Sequence, residues 1–172
     1  MRRLTVFLFV LMVLISADAA DAWNRSAPSE YGRVILKNHA PAAGLAPVVF
    51  DHWLHRSRFT CRLCHIDIGF AMTAGATGIT ATTNRQGYHC GACHNGKRSF
   101  GDKKIFAACT EASPEARARC NRCHSLGMKG AREYEFSAFT EKLPKTALGN
   151  GIDWEEAEAR GLIKPIDVLD DI

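Results

Sequence analysis

Six of the seven cysteines in this 172-residue chain fall into three copies of one pattern, Cys-x-x-Cys followed directly by histidine. The thiols belong to Cys61, Cys64, Cys90, Cys93, Cys120 and Cys123. Two thiols three residues apart share one side of a helical turn, where each can form a thioether with a vinyl group of haem c. The histidine that follows is then placed under the iron, which predicts His65, His94 and His124 as axial ligands. The sequence therefore predicts three covalently bound haem c groups.

Two other chemistries use paired cysteines, but neither explains why histidine follows every copy. A structural zinc site takes tetrahedral ligands from two Cys-x-x-Cys units and needs no third. A thioredoxin-like redox motif requires a βαβ context, which is absent around Cys90 and Cys93. The seventh cysteine, Cys109, has no partner left within the chain. We expect it to be a buried or semi-buried thiol, with an intermolecular disulfide as the alternative.

Four histidines lie outside the attachment sequences, one more than three irons need as second axial ligands. His52 and His55 stand just upstream of Cys61, and at this spacing on a helix their rings share a face. Because each iron already has one histidine, we expect this pair to serve two different haems and to hold them close together. Irons with histidine on both faces have no vacant position for a substrate. The histidine count therefore favours an electron carrier over an enzyme.

The third distal ligand is predicted to be His89, with His39 as the alternative. His89 directly precedes Cys90, so it lies beside the second haem but cannot easily fold back onto that iron, and it could serve the third. His39 stands among turn residues and is expected to face solvent. Met72 and Met128 are the remaining candidates, and either would raise the potential of the haem that it served.

Residues 1–19 have the pattern of a secretory signal peptide. Arg2 and Arg3 give a positive start, Leu4–Ile15 is an apolar run, and two Ala-x-Ala sites compete for cleavage, after Ala19 or after Ala22, of which we favour the first. The apolar run is shorter than the roughly 20 residues that a bilayer requires. We expect no membrane span after signal removal, and a location in the periplasm or at the cell surface.

The formal charge of +4 does not indicate a nucleic-acid partner. Signal removal takes away two arginines and one aspartate, which leaves +3. Each oxidised haem carries two propionates and one positive charge at iron, so three of them bring the total to about zero. Binding to nucleic acid therefore has little electrostatic support.

The remaining patterns place these residues in a small fold. Two short strands at 31–37 and 47–50 predict an N-terminal β-hairpin, preceded by a mobile arm at 20–30. Helical turns follow around the attachment sequences, and Ser113 with Pro114 predicts the start of a helix that runs into Cys120. The predicted fold class is mainly α with little regular secondary structure, in which haem supplies much of the core.

The C-terminal part of the chain differs in character. We divide the mature protein into a triheme domain at 31–128 and a docking extension at 129–172. Within the extension, Asp153 caps a short helix that Gly161 ends. The predicted anchors of the extension are Phe136, Phe139, Trp154 and Ile163.

The order of these features resembles the three-haem cytochrome c7 family, a shortened relative of the cytochrome c3 fold. The resemblance rests on the hairpin, on the sequence Phe50–His55 and on the three attachment sequences, and it covers roughly residues 31–170. Gly87–Lys97 and Gly149–Trp154 are similar to a subgroup that also occurs as triheme repeats in larger multihaem proteins.

The resemblance implies a periplasmic or cell-surface electron carrier of an anaerobically respiring bacterium, with histidine on both faces of each iron. It pairs His52 with His65 and His55 with His94. In compact relatives the third distal histidine stands a few residues before the second attachment sequence, so the adjacency of His89 to Cys90 is a departure.

Three functions remain open at this point. The first is a soluble shuttle between redox protein donors and acceptors. The second is a subunit of a complex or filament with other multihaem cytochromes. The third is a haem reductase.

Overall fold

The computed structural model describes residues 26–109, 119–125 and 129–169. Outside these residues lie the predicted signal peptide, most of the helix expected from Ser113 to Cys120, and the candidate ligand Met128. The predicted hairpin is confirmed: β1 (Arg33–Leu36) pairs antiparallel with β2 (Val48–Asp51). A second hairpin, which the sequence analysis did not predict, joins β3 (Ser99–Phe100) to β4 (Lys103–Lys104).

Helical structure is short and scattered, as expected. The described helices are α1 (His52–Arg56), α2 (Ala81–Arg85), α3 (Lys129–Thr140) and α4 (Trp154–Ala159). Single turns of other helix types cover Pro28–Glu30, Pro41–Ala43, Leu63–Asp67 and His89–Ala92. Among the described residues no helix is long and apolar enough to cross a bilayer.

The N-terminal hairpin leads directly into α1, because β2 ends at Asp51 and α1 begins at the next residue. Arg33 donates to the buried Asp51 carboxylate (Nε to Oδ1, 2.6 Å) and to Glu30 (Nη1 to Oε1, 2.7 Å). These charged hydrogen bonds fix the start of α1 on the hairpin. Of the predicted mobile arm, residues 26–30 are described, and Ser29 is buried in the turn at 28–30.

A buried apolar cluster joins α1 to the C-terminal extension. Its members are Trp53, Phe136, Leu143, Ile152, Ala157 and Ile163, with Leu54 and Trp154 packed against it. The predicted cap of α4 is present, since the Asp153 carboxylate accepts from the Glu156 N–H at 2.9 Å. Of the predicted anchors, only Phe139 stays largely exposed, at 40%. The core that the side chains form thus lies on one side of α1, away from the paired histidines.

Candidate functional site

The three Cys-x-x-Cys-His sequences each form a tight helical turn. In the second and third turns, the backbone N–H of the histidine donates to the carbonyl of the first cysteine. The distance is 2.8 Å both from His94 to Cys90 and from His124 to Cys120. In the first, the Thr60 hydroxyl accepts from the Leu63 N–H at 3.3 Å, and Leu63 is only 1% exposed. A turn of this kind brings both thiols and the histidine to one side of the backbone.

The second attachment turn packs against α2 through a glycine. A Cβ atom at Gly91 would lie 1.8 Å from the carbonyl oxygen of Asn84. Only glycine allows the two backbones to approach so closely. Gly91 therefore has a packing role that the spacing of the cysteines does not reveal.

Each attachment-site histidine is oriented by a backbone carbonyl that accepts from its Nδ1. The acceptor is Phe70 for His65 (2.8 Å), Phe106 for His94 (3.3 Å) and Ala46 for His124 (2.5 Å). A carbonyl oxygen can only accept, so Nδ1 carries the proton and Nε2 keeps its lone pair for a metal. A partner of this kind on the second ring nitrogen is typical of metal-binding histidines.

The two histidines of α1 face the first two of these rings. The ring centres of His52 and His65 are 6.4 Å apart and their planes differ by 10°. The ring centres of His55 and His94 are 6.3 Å apart, with planes at 60°. The structure thus brings each α1 histidine to a different attachment sequence, as the upstream spacing predicted.

Both separations fit one metal ion held between two imidazoles. A metal–imidazole bond of about 2 Å on each side, with about 1 Å from each nitrogen to its ring centre, separates the centres by about 6 Å. The Nδ1 of His52 is bound to the Gly32 carbonyl, which leaves Nε2 free for the metal. These residues therefore fit an iron with histidine on both faces.

Phe50 and burial hold the two α1 histidines in place. The Phe50 ring lies edge-on to His52 at 4.9 Å and tilted against His55 at 4.5 Å between centroids. Burial, and then the nearby His94, lowers the pKa of His55 to about 4. Burial also lowers the pKa of His94. Both rings are therefore neutral at pH 7, the form in which imidazole binds a metal.

Burial raises the pKa of three attachment cysteines, Cys64, Cys90 and Cys93. Burial, followed by Cys93 and Cys61, raises the pKa of Cys64 to about 11. Burial, followed by Cys123 and Cys109, raises the pKa of Cys90 to about 12. A redox-active Cys-x-x-Cys motif instead has a depressed pKa, which argues against the thioredoxin-like alternative. Because Cys93 raises the pKa of Cys64 and Cys123 raises that of Cys90, each of these two pairs of thiols lies close together.

Within the part of the chain that the structure describes, no group of three or more histidine, cysteine or acidic side chains is arranged to hold a metal ion. The described cysteines are all free thiols. Cys109 is half-buried, as expected, and its sulfur accepts from the Asn84 amide at 3.5 Å.

The third attachment turn has no paired ring of this kind among the described residues, so its distal ligand stays a prediction. His89 has a half-buried side chain whose Nδ1 is buried without a hydrogen-bond partner, and its φ of 50° is rare for a residue with a side chain. Its ring lies 5.6 Å from that of Phe70. His39 and Met72 are exposed.

The carbonyl acceptors and Phe50 are the parts of the site that sequence reasoning missed. Every residue has a carbonyl, so Gly32, Ala46, Phe70 and Phe106 carry no signal in their side-chain types. Phe50 could have been suspected, since it stands in the same short block as the two α1 histidines.

Residues 48–125 match the family model described as cytochrome c7 and related cytochrome c. The matched segment begins at β2 and ends just after the third attachment turn, so it contains every candidate haem ligand except His39 and Met128. No curated protein and no solved structure matches the chain.

Proposed function

Because residues 48–125 belong to the cytochrome c7 family of c-type cytochromes, we propose that this chain is an exported electron carrier with three haem c groups, each iron held by two histidines. Haem c, when bound, supplies a reversible one-electron couple at iron. The donors and acceptors would be other redox proteins, including other multihaem cytochromes, in the periplasm or at the cell surface of an anaerobically respiring bacterium.

This proposal depends on the two facing pairs of histidine rings, His52 with His65 and His55 with His94. A substrate-binding haem needs an open position at iron, whereas His52 and His55 stand where they would fill that position at two of the three sites. Their separation from the opposite rings, 6.4 and 6.3 Å, is the spacing of two imidazoles on opposite faces of one iron. We propose the same ligation for the third haem because its attachment sequence has the same pattern as the first two, and we propose His89 as its distal ligand.

The chain's own residues would perform three tasks in electron transfer. The thiols tether the cofactors, the carbonyl acceptors keep Nε2 directed at iron, and α1 holds two sites together. His52 and His55 lie on one short helix, and Cys64 and Cys90 are each influenced by a cysteine of the next attachment turn. Close spacing of this kind suits the passage of electrons along the three sites.

A second reading is a subunit of a larger cytochrome assembly, with the C-terminal extension as a contact surface. Size-exclusion chromatography with light scattering separates the two readings, since a shuttle stays monomeric.

Haem content tests the proposal. Intact mass of the purified holoprotein is expected to show three covalent haem additions on a chain that begins near Ala20. Acid-acetone extraction should release no haem, because thioethers resist it. Fewer than three additions, or extractable haem, would contradict the proposal.

A further inference from the structure

Residues 129–169 lie beyond the matched family segment, yet they pack directly on the helix that carries His52 and His55. We propose that the C-terminal extension is a clamp that sets the ligation of the first two haems, with Trp53 as its main positioning residue. This inference rests on the proposed function, since it concerns how the distal histidines are held.

Trp53 is the first part of the clamp. Trp53 directly follows His52 on α1, so its side chain points about 100° away from that of His52 around the helix axis. Its side chain is only 3% exposed and meets Phe136 edge-on, with ring centroids 5.2 Å apart. Because α1 has five residues, it is too short to be stable alone. Burial of Trp53 in the extension therefore fixes the rotation of the helix and the direction of both histidines.

The end of α1 and the link to the first attachment turn form the second part. Arg56 reaches Glu158 of α4 (Nη2 to Oε2, 3.0 Å). The Ile166 N–H donates to the Arg58 carbonyl at 2.8 Å, and the Thr60 N–H donates to the Ile166 carbonyl at 3.1 Å. These two backbone bonds enclose the link between α1 and Cys61.

The third part reaches the segment after the second attachment turn. Arg98 donates to the Leu169 carbonyl (Nη1 to O, 2.6 Å). The extension thus contacts α1, the approach to Cys61 and the exit from His94. The third turn has a separate attachment to the N-terminal hairpin, where the Val49 N–H donates to the Cys123 carbonyl at 2.8 Å. The haem at the third turn should therefore be unaffected by changes in the clamp, and it is the internal control for the first two haems.

A loosened clamp should let the distal histidines leave iron, because the position of each imidazole depends on α1. An external ligand such as carbon monoxide would then compete for the vacated position in the reduced protein. The apparent affinity for carbon monoxide rises with the fraction of protein in which the histidine has left the iron.

Trp53→Ala holoprotein, reduced and titrated with carbon monoxide, is the first test. We expect up to two haems per chain to bind the gas, while the wild type and Trp53→Phe, which keeps an aromatic ring, bind none. A second pair avoids the core. Ile166→Pro removes the N–H that bonds to Arg58, and Ile166→Ala keeps it. The proline variant should bind carbon monoxide, because it has lost one hydrogen bond of the clamp, whereas the alanine variant, like the wild type, should bind none.

The outcomes separate the clamp from the proposed function. Three haem additions in every variant, with no gas binding by Trp53→Ala and no difference within the Ile166 pair, would overturn the clamp and leave the electron carrier intact. Equal loss of all three haems in Trp53→Ala, with an unaffected Ile166 pair, would show that the extension only supports folding, which also overturns it. Gas binding by the wild type would instead contradict the proposed function itself, and the clamp with it.

Discussion

The four histidines that pair across the two gaps are not held in the same way. His52, His65 and His94 each have an Nδ1 bound to a backbone carbonyl. The Nδ1 of His55 is buried and meets no acceptor within hydrogen-bond geometry, although the nearby Asp51 backbone partly offsets the lowering of its pKa. His55 is therefore held mainly by packing against Phe50 and by the position of α1, so it is the less firmly held of the two proposed distal ligands.

Replacing the α1 histidines singly should open different haems. His52→Ala is expected to expose the haem attached at Cys61 and Cys64, because the opposite ring is His65. His55→Ala should expose the haem attached at Cys90 and Cys93. Electron paramagnetic resonance would show one low-spin ferric signal replaced by a high-spin signal, and a different one in each variant. Each variant is the control for the other, and loss of the same signal in both would refute the pairing.

His89 is the predicted distal ligand of the third haem. Its left-handed backbone conformation costs on the order of 1 kcal/mol, and such strain is often found at functional sites. His89→Met should change the spectrum of the haem attached at Cys120 and Cys123, whereas His39→Met should not, because His39 is exposed. A change confined to the His39 variant would reverse the assignment.

The candidate ligands could be named from the sequence, but the orientation of their side chains could not. The repeated Cys-x-x-Cys-His spacing is specific enough to locate thiols and proximal histidines without a structure. The contact between the Gly32 carbonyl and His52 joins residues 20 positions apart, and that between Ala46 and His124 joins residues 78 positions apart. Such long-range contacts depend on the fold and leave no local pattern.

At the scale of elements, strong local signals gave correct predictions and weak ones did not. The short apolar runs of β1 and β2 and the Asp153 cap of α4 could be recognised in the sequence. Helix α3 was missed because few apolar residues mark its buried face. Among its described side chains, those of Phe136 and Thr140 are buried. Strands β3 and β4 have two residues each, too few for any periodicity.

The contact between the second attachment turn and α2 should tolerate no side chain at position 91. Gly91→Ala is expected to displace the turn, because its Cβ would overlap the Asn84 carbonyl oxygen. Secure attachment of the second haem should be lost, as measured by an intact mass with two haem additions. Gly78→Ala is the matched control, since a Cβ there meets nothing within 4 Å. Full haem content in Gly91→Ala would show that the close approach is not required.

At the scale of the whole molecule, α1 separates two regions of different character. On one side are the paired histidines and the attachment turns. On the other side is the apolar cluster around Trp53, to which the extension contributes most members. From the sequence we expected haem to supply much of the core, and most anchors of the extension were identified. Their packing on the helix of the proposed distal ligands was not predicted. That relation depends on tertiary contacts between residues about 80 to 110 positions apart.

Reversible reduction without ligand binding is the property that most directly defines an electron carrier of this kind. In a spectroelectrochemical titration, the purified holoprotein is expected to take up three electrons per chain reversibly. Its oxidised spectrum should be low-spin at neutral pH, and carbon monoxide should leave the reduced spectrum unchanged. A high-spin fraction, or carbon monoxide binding at any haem of the wild type, would contradict histidine ligation on both faces of all three irons.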